Sequence, residues 1–303
     1  DLLNTSFLSF GNDWSKGDPI WKGTWTYAGL YPVLRIQAEQ GGQPLVYKAG
    51  ANALPALEKD HFRISTRMSF PLNLTNGAWL QYMHPSVEWE YKNDWFYKPD
   101  QATFIRGIHY FNVNLYGYRY LRLAPRDISP RFGQIAELNL NFSPFSSDEI
   151  GPLLYGKFGI FLPGIGKHHS TFVNYWFLNQ FYTKSRYLYS SGGFFPRGYI
   201  PAVSAEMHKW SIDYRFPLWY PDWHVQTLFY LKRIRADMFS DYATGNILSD
   251  NRQAFNKKEF FSCGATLYTD FHLFRIIFPF SLGLRILYIP EFNTFQFAHL
   301  INI

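Results

Sequence analysis

One cysteine, Cys263, stands in a chain of 303 residues. A lone thiol closes no internal disulfide and builds no cysteine-based zinc site, so a disulfide-stapled scaffold and a zinc finger are both excluded. Charged residues are sparse, at 17% of the chain against about 25% in ordinary soluble proteins. No apolar run approaches the ~18 residues that a transmembrane helix needs. The 29 Lys and Arg exceed the 23 Asp and Glu, a net charge of +6. These cations are scattered, with the densest cluster at Lys232, Arg233 and Arg235, so the continuous basic face of a nucleic-acid binder is missing. A basic, apolar leader is missing as well; the expectation is that 1–303 forms one domain, the C-terminal part of a longer protein, or that a leader has been removed.

What the chain has in abundance is aromatic side chains and alternation. Its 10 Trp, 22 Tyr and 30 Phe make up 20% of the residues. From Phe62 to Leu72 the even positions are mostly apolar (Phe62, Ile64, Met68, Phe70), while Arg63, Ser65, Arg67 and Ser69 take the odd ones. Trp210, Ile212, Tyr214 and Phe216 alternate in the same way with Ser211, Asp213 and Arg215, as do Ala136, Leu138 and Leu140 with Glu137, Asn139 and Asn141; Gln134 is an exception in that stretch. A period of two is the mark of a β-strand with unlike faces. Similar segments are expected near 31–39, 78–92, 103–122, 153–162, 171–181, 225–241, 260–270, 275–288 and 294–303, about a dozen strands joined as an up-and-down meander.

The strands run to ten residues and more, longer than the ~5 to 6 usual in soluble sheets and long enough to cross a bilayer at a tilt. Trp21, Trp25, Trp219, Tyr220 and Trp223 cluster at segment ends, where membrane barrels carry aromatic girdles. The fold expected is therefore all-β: an antiparallel transmembrane β-barrel of about 12–16 strands, with the Phe, Leu and Ile face toward lipid and the Arg, Ser, Asn and Glu face toward the lumen.

A Gly-rich stretch from Ser190 delivers Arg197-Gly198-Tyr199, and the strand that follows ends Asp213-Tyr214-Arg215-Phe216-Pro217-Leu218. The pattern resembles the BamA/TamA superfamily of outer-membrane barrels and its bacterial surface-antigen domain, with an Arg-Gly-aromatic loop and an acidic-aromatic-Arg-Phe-Pro-Leu strand ending. The resemblance implies that the loop folds inward and that its Arg197 meets an Asp on the next lumen-facing strand. Phe239-Ser240-Asp241 matches the family's aromatic-x-Asp, although Gly245 follows Asp241 by four residues where the family has two. Asp241 is the first choice of partner and Asp213 the second. About five strands follow the loop, as in the family. Phe295, Phe297, His299 and Ile301 keep the outward alternation of a terminal insertion signal, although Ile303 is not aromatic. Without the family, Arg197-Gly198 also reads as the tip of an exposed turn.

Catalytic and metal signatures are lacking. His168 and His169 are adjacent; on a strand they would diverge and chelate no single ion, and a loop-exposed polar pair is expected. Asp148-Glu149 reads as a surface loop; Glu88, Glu90 and Lys92 share one face and read as lumen charge. No phosphate loop, Gly-x-Ser-x-Gly or dinucleotide fingerprint occurs. The expectation is a non-enzymatic barrel, without metal or cofactor, in the outer membrane of a Gram-negative bacterium. By the resemblance it assists insertion or export of polypeptides; its partners are outer-membrane lipids, with polypeptide clients or other outer-membrane subunits. A passive pore or solute transporter, or an anchor for a binding domain outside this chain, are the alternatives.

Overall fold

The structure is a computed structural model that describes residues 6–13, 20–29, 31–41, 46–47, 61–98, 103–124, 126–145, 150–181, 192–248, 255–274, 276 and 279–302. These residues form seventeen strand segments: β1 (Ser6–Asp13), β2 (Ile20–Tyr27), β3 (Val33–Gly41), β4 (Val46–Tyr47), β5 (Phe62–Ser69), β6 (Leu72–Asn73), β7 (Trp79–Lys98), β8 (Thr103–Leu121), β9 (Gly133–Phe142), β10 (Leu153–Pro163), β11 (Ser170–Gln180), β12 (Ser204–Trp219), β13 (Trp223–Val225), β14 (Phe229–Leu248), β15 (Phe255–Leu273), β16 (Phe280–Ile289) and β17 (Thr294–Asn302). Thirteen antiparallel ladders join fourteen of them in chain order, from β1 through β2, β3, β5 and β7–β12 to β14–β17. The short β6 and β13 continue β5 and β12 along the same neighbours, and β4 lies parallel beside β7. Among the described residues no ladder joins β1 to β17.

Nearest-neighbour pairing throughout makes this an up-and-down barrel wall, and the side chains show which face is which. On β5, Arg63, Ser65, Arg67 and Ser69 point inward while Phe62 and Met68 are exposed. On β12, Lys209, Ser211 and Asp213 are buried, and Trp210 and Ile212 are exposed between them. Leu138, Phe158, Ile160, Leu267, Leu282 and Leu284 continue the exposed apolar belt on other strands. A soluble barrel would hide these groups and show the charges. Here charge is inside and hydrocarbon outside, the arrangement of a transmembrane β-barrel.

The interior compensates its own charges. On the β5–β7 ladder, Arg63 donates to Glu90 and Arg67 to Glu88, with Nε distances of 2.8 and 3.0 Å; Lys92 Nζ stands 2.8 Å from Glu90. The carboxylates that share a face in sequence are thus held by arginines one strand away. Asn112 on β8 donates to Asn139 and Asn141 on β9, and Asn114 reaches Glu137.

Several elements differ from the reading of the sequence. Both β1 and β2 precede the first expected strand: their faces are too mixed in polarity for alternation to reveal them. The strands β7, β14 and β15 reach 19 or 20 residues, well past the ~9 to 11 that a bilayer requires, because pairing continues beyond the apolar belt into polar ends such as Lys257 and Lys258. Of the basic cluster, Arg233 and Arg235 are inside, both bonded to Asp270, while Lys232 falls at a bulge in the β14–β15 ladder. In agreement with the reading as a loop pair, His168 and His169 stand in the turn before β11, and they diverge: His168 Nδ1 lies 2.7 Å from Asp127, and His169 Nδ1 lies 2.7 Å from the Tyr214 hydroxyl. Asp148 and Glu149 lie outside the described residues.

Candidate functional site

Ahead of β12, residues 192–199 turn into the barrel instead of away from it. Gly192–Phe194 forms a single 3-10 turn, after which Phe195 and Pro196 are buried. Phe195 joins an apolar cluster made of inward residues Leu153, Leu178, Met207, Ala243, Ile247 and Phe260, and Phe194 meets Tyr155 and Trp176 edge-on. Burial of this aromatic pair, at ~25 cal/mol per Å² of apolar surface, draws the loop inward and carries the next residue into a polar layer.

That residue is Arg197. Its main-chain N–H and Nε donate to Asp241 Oδ2 at 3.0 and 2.8 Å, and its Nη2 donates to Oδ1 at 2.7 Å. The remaining arm, Nη1, stands 2.8 Å from Asp213 Oδ1. Asp241 is fully buried, at 0% exposure. A planar guanidinium with donors on two edges suits this double duty, and an ammonium does not. Register explains why the two carboxylates converge: Ser211 pairs with Asp241, and Asp213 pairs with Phe239, across the β12–β14 ladder. Both acids therefore face inward on neighbouring strands, one step apart.

The underside of the guanidinium is covered too. Its carbon lies 3.8 Å from the centre of the Phe239 ring, a cation–π contact strengthened by the loss of water. Gly264 makes room for that ring, because a Cβ there would stand 2.8 Å from Phe239 Cζ and 2.3 Å from the Ile286 carbonyl oxygen. Lys209, also buried, donates to the Phe195 carbonyl at 2.9 Å. Lys209 thus sets a second cation beside Arg197 in this layer.

Gly198 and Tyr199 finish the turn. Gly198 has φ +91°, and a Cβ would come within 2.7 Å of Leu287 and 3.1 Å of Ile289, so both the conformation and the space exclude a side chain. The Tyr199 ring packs edge-on against Phe260, and its hydroxyl lies 3.2 Å from the Phe261 carbonyl oxygen and 3.1 Å from Glu291. The four-residue spacing to Gly245 leaves the Asp241 contacts in place; Gly245 instead lies against Met207, where a Cβ would meet the sulfur at 2.5 Å.

At the other end of β12 a second segment crosses the lumen. Residues 122–124 and 126–132, between β8 and β9, are held by strands and turns several positions along the wall. Arg233 on β14 donates to the Asp127 carbonyl at 3.1 Å, and Arg215 on β12 donates to Ser129 at 3.1 Å. The Tyr220 hydroxyl donates to the Arg126 carbonyl at 2.9 Å, so this girdle candidate is engaged by the strap. Burial raises the Asp127 carboxyl, but the His168 hydrogen bond, the Ala124 N–H and Arg131 outweigh it and hold the group below its ordinary value. Sequence reading missed the strap and Phe194-Phe195; the adjacent aromatics within a glycine-rich loop were the available signal for the latter.

Four residues of the last strand, Phe295, Phe297, His299 and Ile301, all point outward and are exposed, Phe297 at 77%. Between them Gln296 turns inward, and its Nε2 donates to the Gly198 carbonyl at 3.4 Å. Among the described residues no cluster of His, Cys, Asp or Glu is arranged to hold a metal ion.

The crystal structure of BamA from Haemophilus ducreyi lacking POTRA domains 1-3 is similar. It overlays 98% of this chain with a TM-score of 0.49 and 15% identity. This chain spans 64% of that one, under two thirds of its length. No protein-family model matches the chain, and no curated protein matches it.

Proposed function

We propose that this chain is a bacterial outer-membrane barrel that assists insertion or export of other polypeptides and catalyses no covalent reaction. The observation that carries the reading is the loop seated in the lumen with Arg197 shared between Asp241 and Asp213. A buried ion pair adds little net stability over an apolar packing of the same shape, but it specifies one position sharply. Such a tie suits a loop that must sit in one place and hold the wall in one register. The strap at the opposite end of β12 narrows the lumen again, which speaks against a passive pore as the main role. Inward carboxylates such as Glu88 and Glu90 are neutralised by arginines, which leaves no acid–base pair free for catalysis there.

The test is reconstitution of the full chain in phosphatidylethanolamine/phosphatidylglycerol liposomes with a urea-denatured outer-membrane barrel as client. The expected result is faster client insertion with the wild type, reduced about tenfold by Arg197→Ala. A wild-type rate equal to that of empty liposomes, together with steady ion conductance, would point to the pore.

A further inference from the structure

Beneath the strap, on the inward faces of β12 and β14, lies a cavity of about 280 Å³ that has no part in the Arg197 site. Arg215, Arg233 and Arg235 line it against Asp237 and Asp270. Both carboxylates are paired with arginine. Asp270 accepts from Arg233, from Arg235 at 3.2 Å and from Ser281 at 2.7 Å; Asp237 accepts from Arg235 Nη1 at 2.8 Å through each oxygen. Arg233 and Arg235 are thereby neutralised.

Arg215 is not. Its Nη1 donates to the neutral Ser129 hydroxyl, its Nε stands 3.9 Å from Asp237, and that Nε is buried without a hydrogen-bond acceptor. The other charges near the strap do not supply one: the Asp127 carboxylate is directed to His168 and Arg131, and Arg285 on β16 adds a further cation, bonded to Thr266 at 3.2 Å. Three guanidiniums against two carboxylates leave one positive charge and, on Arg215, a buried donor without an acceptor. Buried donors are nearly always paired, and the partner that matches a guanidinium edge and its charge is an oxyanion with two oxygens.

We propose that this cavity binds a small oxyanion, a phosphate or carboxylate group, with Arg215 as its principal anchor and Arg233 and Arg235 as the surrounding field. The volume admits one such group with a few waters. The group is either a free anion entering from the strap side or the phosphate of a lipid headgroup.

Calorimetric titration of the full chain in a neutral detergent, at constant ionic strength set with chloride, decides the matter. Sodium phosphate is expected to bind saturably, and Arg215→Gln to weaken binding at least tenfold. Arg215→Lys, which keeps the charge and loses the fork, is expected to fall between them and serves if the Gln variant does not fold. Arg63→Gln, a lumen arginine paired elsewhere, is expected to leave binding unchanged. A short-chain phosphatidylglycerol that binds tenfold tighter than phosphate identifies the lipid source, and equal or weaker binding identifies the free anion. Non-saturable heats with both probes, or equal weakening by Arg215→Gln and Arg63→Gln, would overturn the proposal.

Discussion

Gly198 and Arg197 place opposite demands on one turn: the first must be without a side chain, the second must carry the longest cation available. Gly198→Ala forces a β-carbon into Leu287 and Ile289 in a backbone conformation that alone costs about 1 to 3 kcal/mol. The expected outcome is a lower urea midpoint for the folded barrel, read as the loss of its heat-modifiable gel mobility, with the rest of the wall retained. For Arg197 the informative quantity is coupling. Arg197→Ala leaves Asp241 buried and unpaired, whereas Asp241→Asn removes the charge that needed pairing, so the double variant is expected to recover on the order of 1 to 3 kcal/mol relative to the sum of the singles. Additive effects would mean that the two residues act independently. The motif Arg197-Gly198-Tyr199 is a local signal, an arginine on a glycine-rich loop; Asp241 was named through the family resemblance, and Asp213, the second choice, through its inward parity. That Arg197 spans to both was not legible, since it depends on the β12–β14 register.

At the scale of elements, the strap between β8 and β9 is the clearest gap between sequence and structure. Its residues alternate with no period, and its partners Arg215, Tyr220 and Arg233 lie about a hundred positions away in the chain, so nothing local announces it. Asp127 ties it down, and the sign of its pH dependence follows from its lowered proton affinity. A carboxyl held below its unfolded value contributes its full stabilisation above that value, near 3.8, and loses it as the pH falls through the lower folded value. Wild type is therefore expected to exceed Asp127→Asn in unfolding free energy by about 1 to 2 kcal/mol at pH 6, the worth of a hydrogen bond to a charged group, and the gap is expected to narrow progressively as the pH falls below 3.8. A gap that is constant across this range would show that the carboxylate charge plays no part. At neutral pH, trypsin is expected to cut after Arg126 or Arg131 faster in the variant.

For the molecule as a whole, period-two alternation over long segments was enough to read an inverted barrel, because lipid on one side and water on the other impose the same two-residue rule on every strand. It failed at β1 and β2, where Phe7 stands on the polar face and Ser6, Asn12 and Gly23 interrupt the apolar one, and it cut β7, β14 and β15 short where the apolar belt ends before the ladder does. The central claim is that the Phe, Leu and Ile face meets lipid and the charged face does not. Single cysteines at Phe62, Leu138, Leu282 and Phe297, and at Arg63, Arg67 and Ser211, placed in a Cys263→Ser background, carry a fluorophore in bilayers that contain a lipid-phase quencher. Strong quenching is expected at the first four sites and at native Cys263, which lies on the outward face of β15, with little at the other three. Strong quenching at Arg63, Arg67 and Ser211, with none at Phe62, Leu138, Leu282 and Phe297, would contradict the account.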